Sequence, residues 1–190
     1  GAFAPQTVGG RRAHPAKAIK NWLQKINKKE KAKAIRSALA ATLDAKLVSE
    51  HGYKIPENYP FIVDKSIEEL QKTADVKKAL ETMGFAEELK RADAKKIRAG
   101  KGKMRSRRYK TKTSILFVVA DECSLKNAAE NIPGVEIVTL AQLNAEHLAP
   151  GAQPGRATLY TEQAIKTIQE KQLYTGKKVQ KTASSKQRSE

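Results

Sequence analysis

Apolar positions along this chain follow two patterns, and long stretches follow neither. Short continuous apolar runs read as strands buried on both faces. Phe61-Ile62-Val63 is a short one and residues 115–120 form the strongest; 135–140, of alternating and continuous apolar character, and 157–161 read as strands as well. Between these runs the spacing is helical. Ala34, Ile35, Ala38, Leu39, Thr42, Leu43 and Leu47 recur on one face. Asn27 with Glu30 three residues later has the arrangement of a capping box, and Gly52 stands where helices often end. One helix with an Ala-rich face is therefore predicted across this stretch, able to lie close to a sheet. Residues 66–83 read as helical in two pieces led by Asp64 or Ser66 and closed by Gly84. Residues 87–99 read as a polar helix, 124–131 and 141–147 as short ones, and 161–174 as a helix capped by Thr161. Pro133-Gly134, Pro150-Gly151 and Pro154-Gly155 mark turns. Strands alternating with helices predict an α/β fold: a mostly parallel sheet of about four strands, helices on both faces, right-handed crossovers.

The stretches without periodicity carry the charge. Residues 1–26 contain Gly9-Gly10, Pro5, Pro15 and Arg11-Arg12 but no Asp or Glu, and read as an extended basic N-terminal arm. Residues 175–190 are mostly Lys, Gln, Ser and Thr, and read as a disordered basic tail. The predicted globular α/β domain is thus 27–174. Within it, residues 95–112 hold ten Lys or Arg in eighteen positions, without an acid. Such a run cannot be buried, because each cation would lose its hydration without gaining a partner. It ends directly in the strongest strand, so a basic loop, 95–114, is anchored to the folded domain.

The whole chain has a formal net charge of +17 over 190 residues. Self-repulsion on that scale calls for an anionic partner, and nucleic acid leads. A membrane is not expected, because no apolar stretch is long enough to span one and no helix pairs a basic face with bulky apolar residues. No helix-turn-helix, zinc-finger or RRM signature is present, which argues against reading a DNA groove. Irregular basic segments on a small globular body suit folded RNA, whose crevices accept extended peptide, and such segments order on binding.

Enzyme chemistry finds little support. Gly100-Lys101-Gly102-Lys103 superficially resembles a phosphate-binding loop, but it follows a polar helix, precedes a strand and lacks the Ser or Thr in register. A dinucleotide fingerprint fails as well, because Arg105 stands where its third glycine belongs. His14, His51 and His147 are far apart. Asp121 and Glu122 follow a strand at its C-terminal edge, but also adjoin a helix start, where capping is the simpler role. Cys123 is the only cysteine, fits a reducing compartment, and reads as inert because the preceding Asp121 and Glu122 disfavour its thiolate. No signal peptide or lipidation motif is legible at Gly1, and the chain starts without Met, as a fragment would. No cofactor, metal or small-molecule substrate is expected. A nucleotide-using or RNA-modifying enzyme on the same scaffold is the alternative, and a DNA-compacting protein a third class.

The expected RNA contacts form two groups. In the arm, Arg11, Arg12, Lys17 and Lys20 would track phosphates, and His14 would stack or meet a phosphate. Trp22, flanked by Lys20 and Lys25, either stacks on a base or staples onto the following helix. In the loop, Lys96, Arg98, Lys101, Lys103 and Arg105 would clamp RNA together with Arg107, Arg108, Lys110 and Lys112. Four of the ten cations are Arg, whose planar fork matches phosphate. Gly100 and Gly102 let the backbone follow RNA closely, and Met104 and Tyr109 can insert or stack.

Several motifs resemble one family when taken together. They are Gly10-Arg11-Arg12-Ala13-His14-Pro15, then Ala34 through Ala41 (Ala-Ile-Arg-Ser-Ala-Leu-Ala-Ala), and Ile97 through Arg108. Asn131-Ile132-Pro133-Gly134, Leu148-Ala149-Pro150-Gly151 and Pro154-Gly155-Arg156 with Thr161-Glu162 complete the set. In order and spacing the chain resembles the universal large-subunit ribosomal protein number four, in its archaeal and eukaryotic form, up to about residue 174. The resemblance implies a structural, non-enzymatic protein of the cytoplasmic large ribosomal subunit, with large-subunit ribosomal RNA and neighbouring ribosomal proteins as partners. It also implies an α/β domain on the subunit surface and a long loop running through RNA to the peptide exit tunnel. The arm would be the returning limb of that loop. The family's N-terminal strand, first helix and outgoing limb have no counterpart in these residues.

Overall fold

A computed structural model describes residues 3–174. The tail expected to be disordered, 175–190, lies outside the described residues, as do Gly1 and Ala2. Residues 3–27 hold turns but neither helix nor strand.

The continuous apolar runs become a parallel four-stranded sheet. Strands β1 (Ile62–Val63), β4 (Leu116–Val119), β5 (Glu136–Thr139) and β6 (Thr158–Thr161) lie in the order β1-β6-β4-β5. In register Phe117 pairs with Ile137 on one side and Leu159 on the other. Every residue of β4 and β6 is buried; β4 is apolar throughout, and in β6 the Thr158 and Thr161 hydroxyls donate to the Arg156 and Val118 carbonyls. Ile62 of β1 and Glu136 of β5 are exposed, so these two outer strands are not buried on both faces as expected.

Helices cover both faces. On one, Ile115, Phe117, Leu159 and Val63 pack with Val76 and Leu80 of α3 (Thr73–Thr82), and with Leu125 and Ala128 of α5 (Leu125–Ala129). On the other, Leu116, Val118, Val138 and Tyr160 pack with Ile35 and Ala38 of α1 (Lys28–Thr42). Leu148 of α6 (Ala145–Leu148) and Ala164 of α7 (Glu162–Glu170) join this second cluster. A buried hydroxyl chain ties α1 to the sheet: Tyr160 and Thr42 share a hydrogen bond of 2.8 Å, and the Tyr59 hydroxyl donates to the Thr42 carbonyl. Thr161 caps α7 by accepting from the Ala164 N–H, as its sequence position predicts.

Two helix predictions are corrected. The helix expected as one piece up to Gly52 is two, α1 and α2 (Ala45–Glu50). Asp44 breaks it, taking an extended conformation in which its carboxylate accepts from the Lys46 and Leu47 N–H groups. A short carboxylate bonded to nearby backbone competes with continuing the helix. Asn27 makes no side-chain capping bond, so the capping box does not form. The polar helix expected over 87–99 is α4 (Ala86–Asp93), which stops before the cations begin. Continued as a helix, Lys95, Arg98 and Lys101 would stack at spacings where like charges repel. The chain turns into a separate two-stranded ribbon instead.

Candidate nucleic-acid interface

That ribbon is the segment read as the basic loop 95–114. Strand β2 (Lys96–Ile97) pairs antiparallel with β3 (Tyr109–Lys110), and a 3₁₀ turn (Gly100–Met104) lies between them. The backbone closes through Arg98 N–H to the Arg108 carbonyl at 2.8 Å, and through Arg105 and Arg107 N–H groups to the Gly102 carbonyl. Gly100, at φ +73°, supplies the left-handed residue that opens the turn. The Arg98 guanidinium bonds within the hairpin, its Nε donating to the Arg107 carbonyl at 3.1 Å. Arg98 therefore braces the ribbon, and the cations around it face solvent. Ile97, Met104 and Tyr109 are exposed, with the Arg108 guanidinium 5.6 Å from the Tyr109 ring centre.

A buried polar network bolts the hairpin to the domain. Glu88 on α4 is fully buried. It accepts from Arg91 Nε and Nη2 at 2.7 and 2.6 Å, from Ser114 Oγ at 2.8 Å and from the Lys54 N–H at 2.9 Å. Arg91 also donates to the Thr113 carbonyl at 2.8 Å. On the far side of Ser114, Arg156 is 1% exposed. Its guanidinium donates to the Ser114 carbonyl at 2.7 Å, to Glu136 at 2.6 Å and to the His147 carbonyl at 3.0 Å. Buried charges persist only where such partners satisfy them. Gly134 completes the mount, at φ +77°: a Cβ there would collide with the Lys112 carbonyl oxygen, and its own carbonyl accepts from Ser114 N–H at 2.7 Å. Residues 113–114, where the hairpin enters β4, are thus held from three sides.

The arm folds on itself through short-range hydrogen bonds. Gly10 N–H donates to the Thr7 carbonyl, Lys20 N–H to the Lys17 carbonyl, and Arg11 Nε to the Phe3 carbonyl. Lys20 Nζ lies 4.6 Å from the Trp22 ring centre, and Trp22 is 64% exposed, so it does not staple onto α1. Arg12, His14, Lys17 and Lys25 are exposed as well.

The histidines do not converge. His14 lies in the arm, His51 ends α2, and His147 is in the last turn of α6. Asp121 and Glu122 are exposed beyond the end of β4, and Ser124 makes no side-chain capping bond. Burial pushes the Cys123 thiol up, and Glu68 adds to that, a different acid from the sequence neighbours expected to do so. Because the strands are parallel, the hairpin joins the sheet at the strands' N-terminal edge. Ligand sites of open α/β sheets lie at the opposite edge. The residues that sequence reading missed are Glu88, Arg91 and the structural part played by Arg156. An Arg directly before the apolar run 157–161, and a Glu-Arg pair three apart on a helix, are the signals that could have found them.

The family model described as "Ribosomal protein L4/L1 family" matches residues 2–171. A protein of Methanocaldococcus jannaschii named "Large ribosomal subunit protein uL4" is 50% identical over 172 residues, covering 90% of this chain and 68% of its own length. Its namesake in Methanococcoides burtonii is 49% identical over 169 residues, with 88% and 67% covered. That of Halobacterium salinarum is 46% identical over 171 residues, with 88% and 68% covered. A sheet that carries a basic ribbon at its non-catalytic edge, matched almost throughout by these sequences, leaves one assignment: the chain belongs to the ribosomal protein L4/L1 family and is a structural, non-enzymatic protein.

Proposed function

We propose that the chain holds folded ribosomal RNA in the large subunit, with the sheet domain as the mount and the basic arm and hairpin as the contacts. One observation carries this reading. Among the described residues, none of the ten cations of 95–112 forms a salt bridge with a carboxylate of the chain. Their countercharge therefore comes from outside, and phosphate is the polyanion that a ribosomal protein meets. Lys101, Lys103, Arg105, Arg107 and Arg108 clamp RNA at the turn, with Lys96, Lys110 and Lys112 at the hairpin base. Arg98 contributes mainly through the hairpin's shape. Arg11, Arg12, His14, Lys17, Lys20 and Lys25 follow RNA along the arm, and Trp22 and Tyr109 offer stacking faces. The arm runs toward the peptide exit tunnel as the returning limb of a longer loop. Neighbouring large-subunit proteins are further partners, and the particle is cytoplasmic.

The test is the salt dependence of binding to large-subunit RNA. If about eight phosphates are neutralised, log K falls with log salt at a slope of roughly −6 to −7. A slope near zero would refute the electrostatic account. The chain should also co-sediment with large subunits through moderate salt.

A further inference from the structure

Between the base of the hairpin and the turn at 150–153 lies an open cleft of about 470 Å³. That volume is in the range of small-ligand sites, about 300–1,000 Å³. Lys96, Lys110 and Lys112 line one side, and no carboxylate is among the residues that line it. Lys96 and Lys110 are direct cross-strand partners. Like charges placed directly opposite each other weaken a strand pair, and an anion bridging them would reverse the sign. On the other side stand Arg91 and Tyr53, with the Arg91 guanidinium 4.9 Å from the Tyr53 ring centre. Glu88 grips two of its nitrogens and the Thr113 carbonyl one of them, so the guanidinium plane is fixed before any ligand arrives. The guanidinium lies over the Tyr53 ring, and Arg91, its side chain 19% exposed, still forms part of the cleft wall. Fixed guanidinium planes are surfaces on which unstacked RNA bases settle.

We propose that this cleft receives a single extruded nucleotide of RNA, its base stacked on Arg91 and its phosphate bridging Lys96 and Lys110. The inference rests on the RNA-holding reading and adds a site which that reading does not require. A continuous duplex cannot deliver a base here, so the preferred target is a bulge or a sharp turn.

The test compares two RNA hairpins of equal stem length, one fully paired and one with a single bulged nucleotide, titrated with the full chain at fixed salt. A preference for the bulged RNA on the order of tenfold is expected, the size of one stacking contact. Gln153→Trp fills the cleft from its exposed rim without touching the buried network. It should bring the ratio near one while leaving affinity for the paired RNA unchanged. Arg91→Lys keeps the charge, removes the planar face, and should likewise bring the ratio near one. If Arg91→Lys fails to fold, the Gln153→Trp ratio decides alone. Equal affinity of the unaltered chain for both RNAs would overturn the cleft and leave the RNA-holding reading standing. A preference that survives Gln153→Trp would also overturn the cleft, because the nucleotide would then sit elsewhere. Binding to neither RNA would take down the RNA-holding reading, and the cleft with it.

Discussion

In the sheet domain Arg156 is 1% exposed, and its guanidinium donates to Glu136 and to the carbonyls of Ser114 and His147. In the hairpin Arg105, Arg107 and Arg108 are exposed, and no carboxylate of the described residues pairs with them. The same side chain holds the fold together in one region and is left for a partner in the other. What differs is the supply of acceptors. The domain builds a nest of carbonyls and carboxylates where three strands begin. The hairpin has no acid within eighteen residues. A cation whose partners are internal contributes to stability and is costly to remove; one without them contributes to binding.

The largest effect should come from the internal arginine. Arg156→Met leaves several carbonyls and the Glu136 carboxylate without their donor, and should cost about 3 kcal/mol in urea unfolding. RNA affinity of the remaining folded molecules should change little. The reverse outcome, intact stability with lost binding, would dissolve the contrast between the two regions. Next is the triple replacement of Arg105, Arg107 and Arg108 by Ala. Binding should weaken by on the order of a hundredfold at low salt, and the salt slope should become shallower by about 2 to 3. Unfolding should move by no more than about 0.5 kcal/mol, as for exposed positions generally. Loss of the fold instead would make these arginines structural.

A smaller effect separates the regions by pH. Burial pushes the Tyr160 hydroxyl up to about 12, and burial raises Tyr59 too. An unfolded tyrosine titrates near about 10, so the folded state retains protons that the unfolded state has released. Stability from these groups is intact below about pH 10 and declines as pH rises toward 12. Tyr160→Phe should flatten that alkaline decline and cost about 1 kcal/mol at neutral pH through the lost Thr42 bond. The smallest effect is at the exposed Glu162–Lys166 pair on α7. Lys166 holds the Glu162 carboxyl below its ordinary range, but both side chains are in water. Lys166→Ala should shift neither the unfolding midpoint nor RNA affinity measurably.

The centre of the sheet was legible because β4 is buried on both faces, so Ile115–Val119 is a continuous apolar run that a water-facing strand would not show; β6 was less plain, because its buried Thr158 and Thr161 are polar in sequence. The Ala-rich face of α1 was legible for the same reason as β4. The break at Asp44 was not, because an Asp inside a helical pattern reads equally as a surface residue and as a cap, and only the local backbone decides. The charge of 95–112 pointed to a polyanion directly from composition. Its hairpin shape did not, since Lys96–Ile97 and Tyr109–Lys110 are strands of two residues each, too short for an alternation of apolar and polar positions to show. Nor was the network joining Glu88 and Arg91 of α4, Ser114 and Arg156 visible, because these come from three distant parts of the chain and meet only after the sheet forms.

The central claim is that RNA is met by the arm and hairpin while the sheet's C-terminal edge stays free. Ultraviolet cross-linking of the full chain to large-subunit RNA, with the adducts mapped by mass spectrometry, tests it most directly. Adducts should concentrate on peptides carrying Arg11, Arg12 and Trp22, and on those spanning 96–112. Adducts confined to 64–69 and 121–126, at the C-terminal ends of β1 and β4, with the hairpin unmarked, would contradict the account.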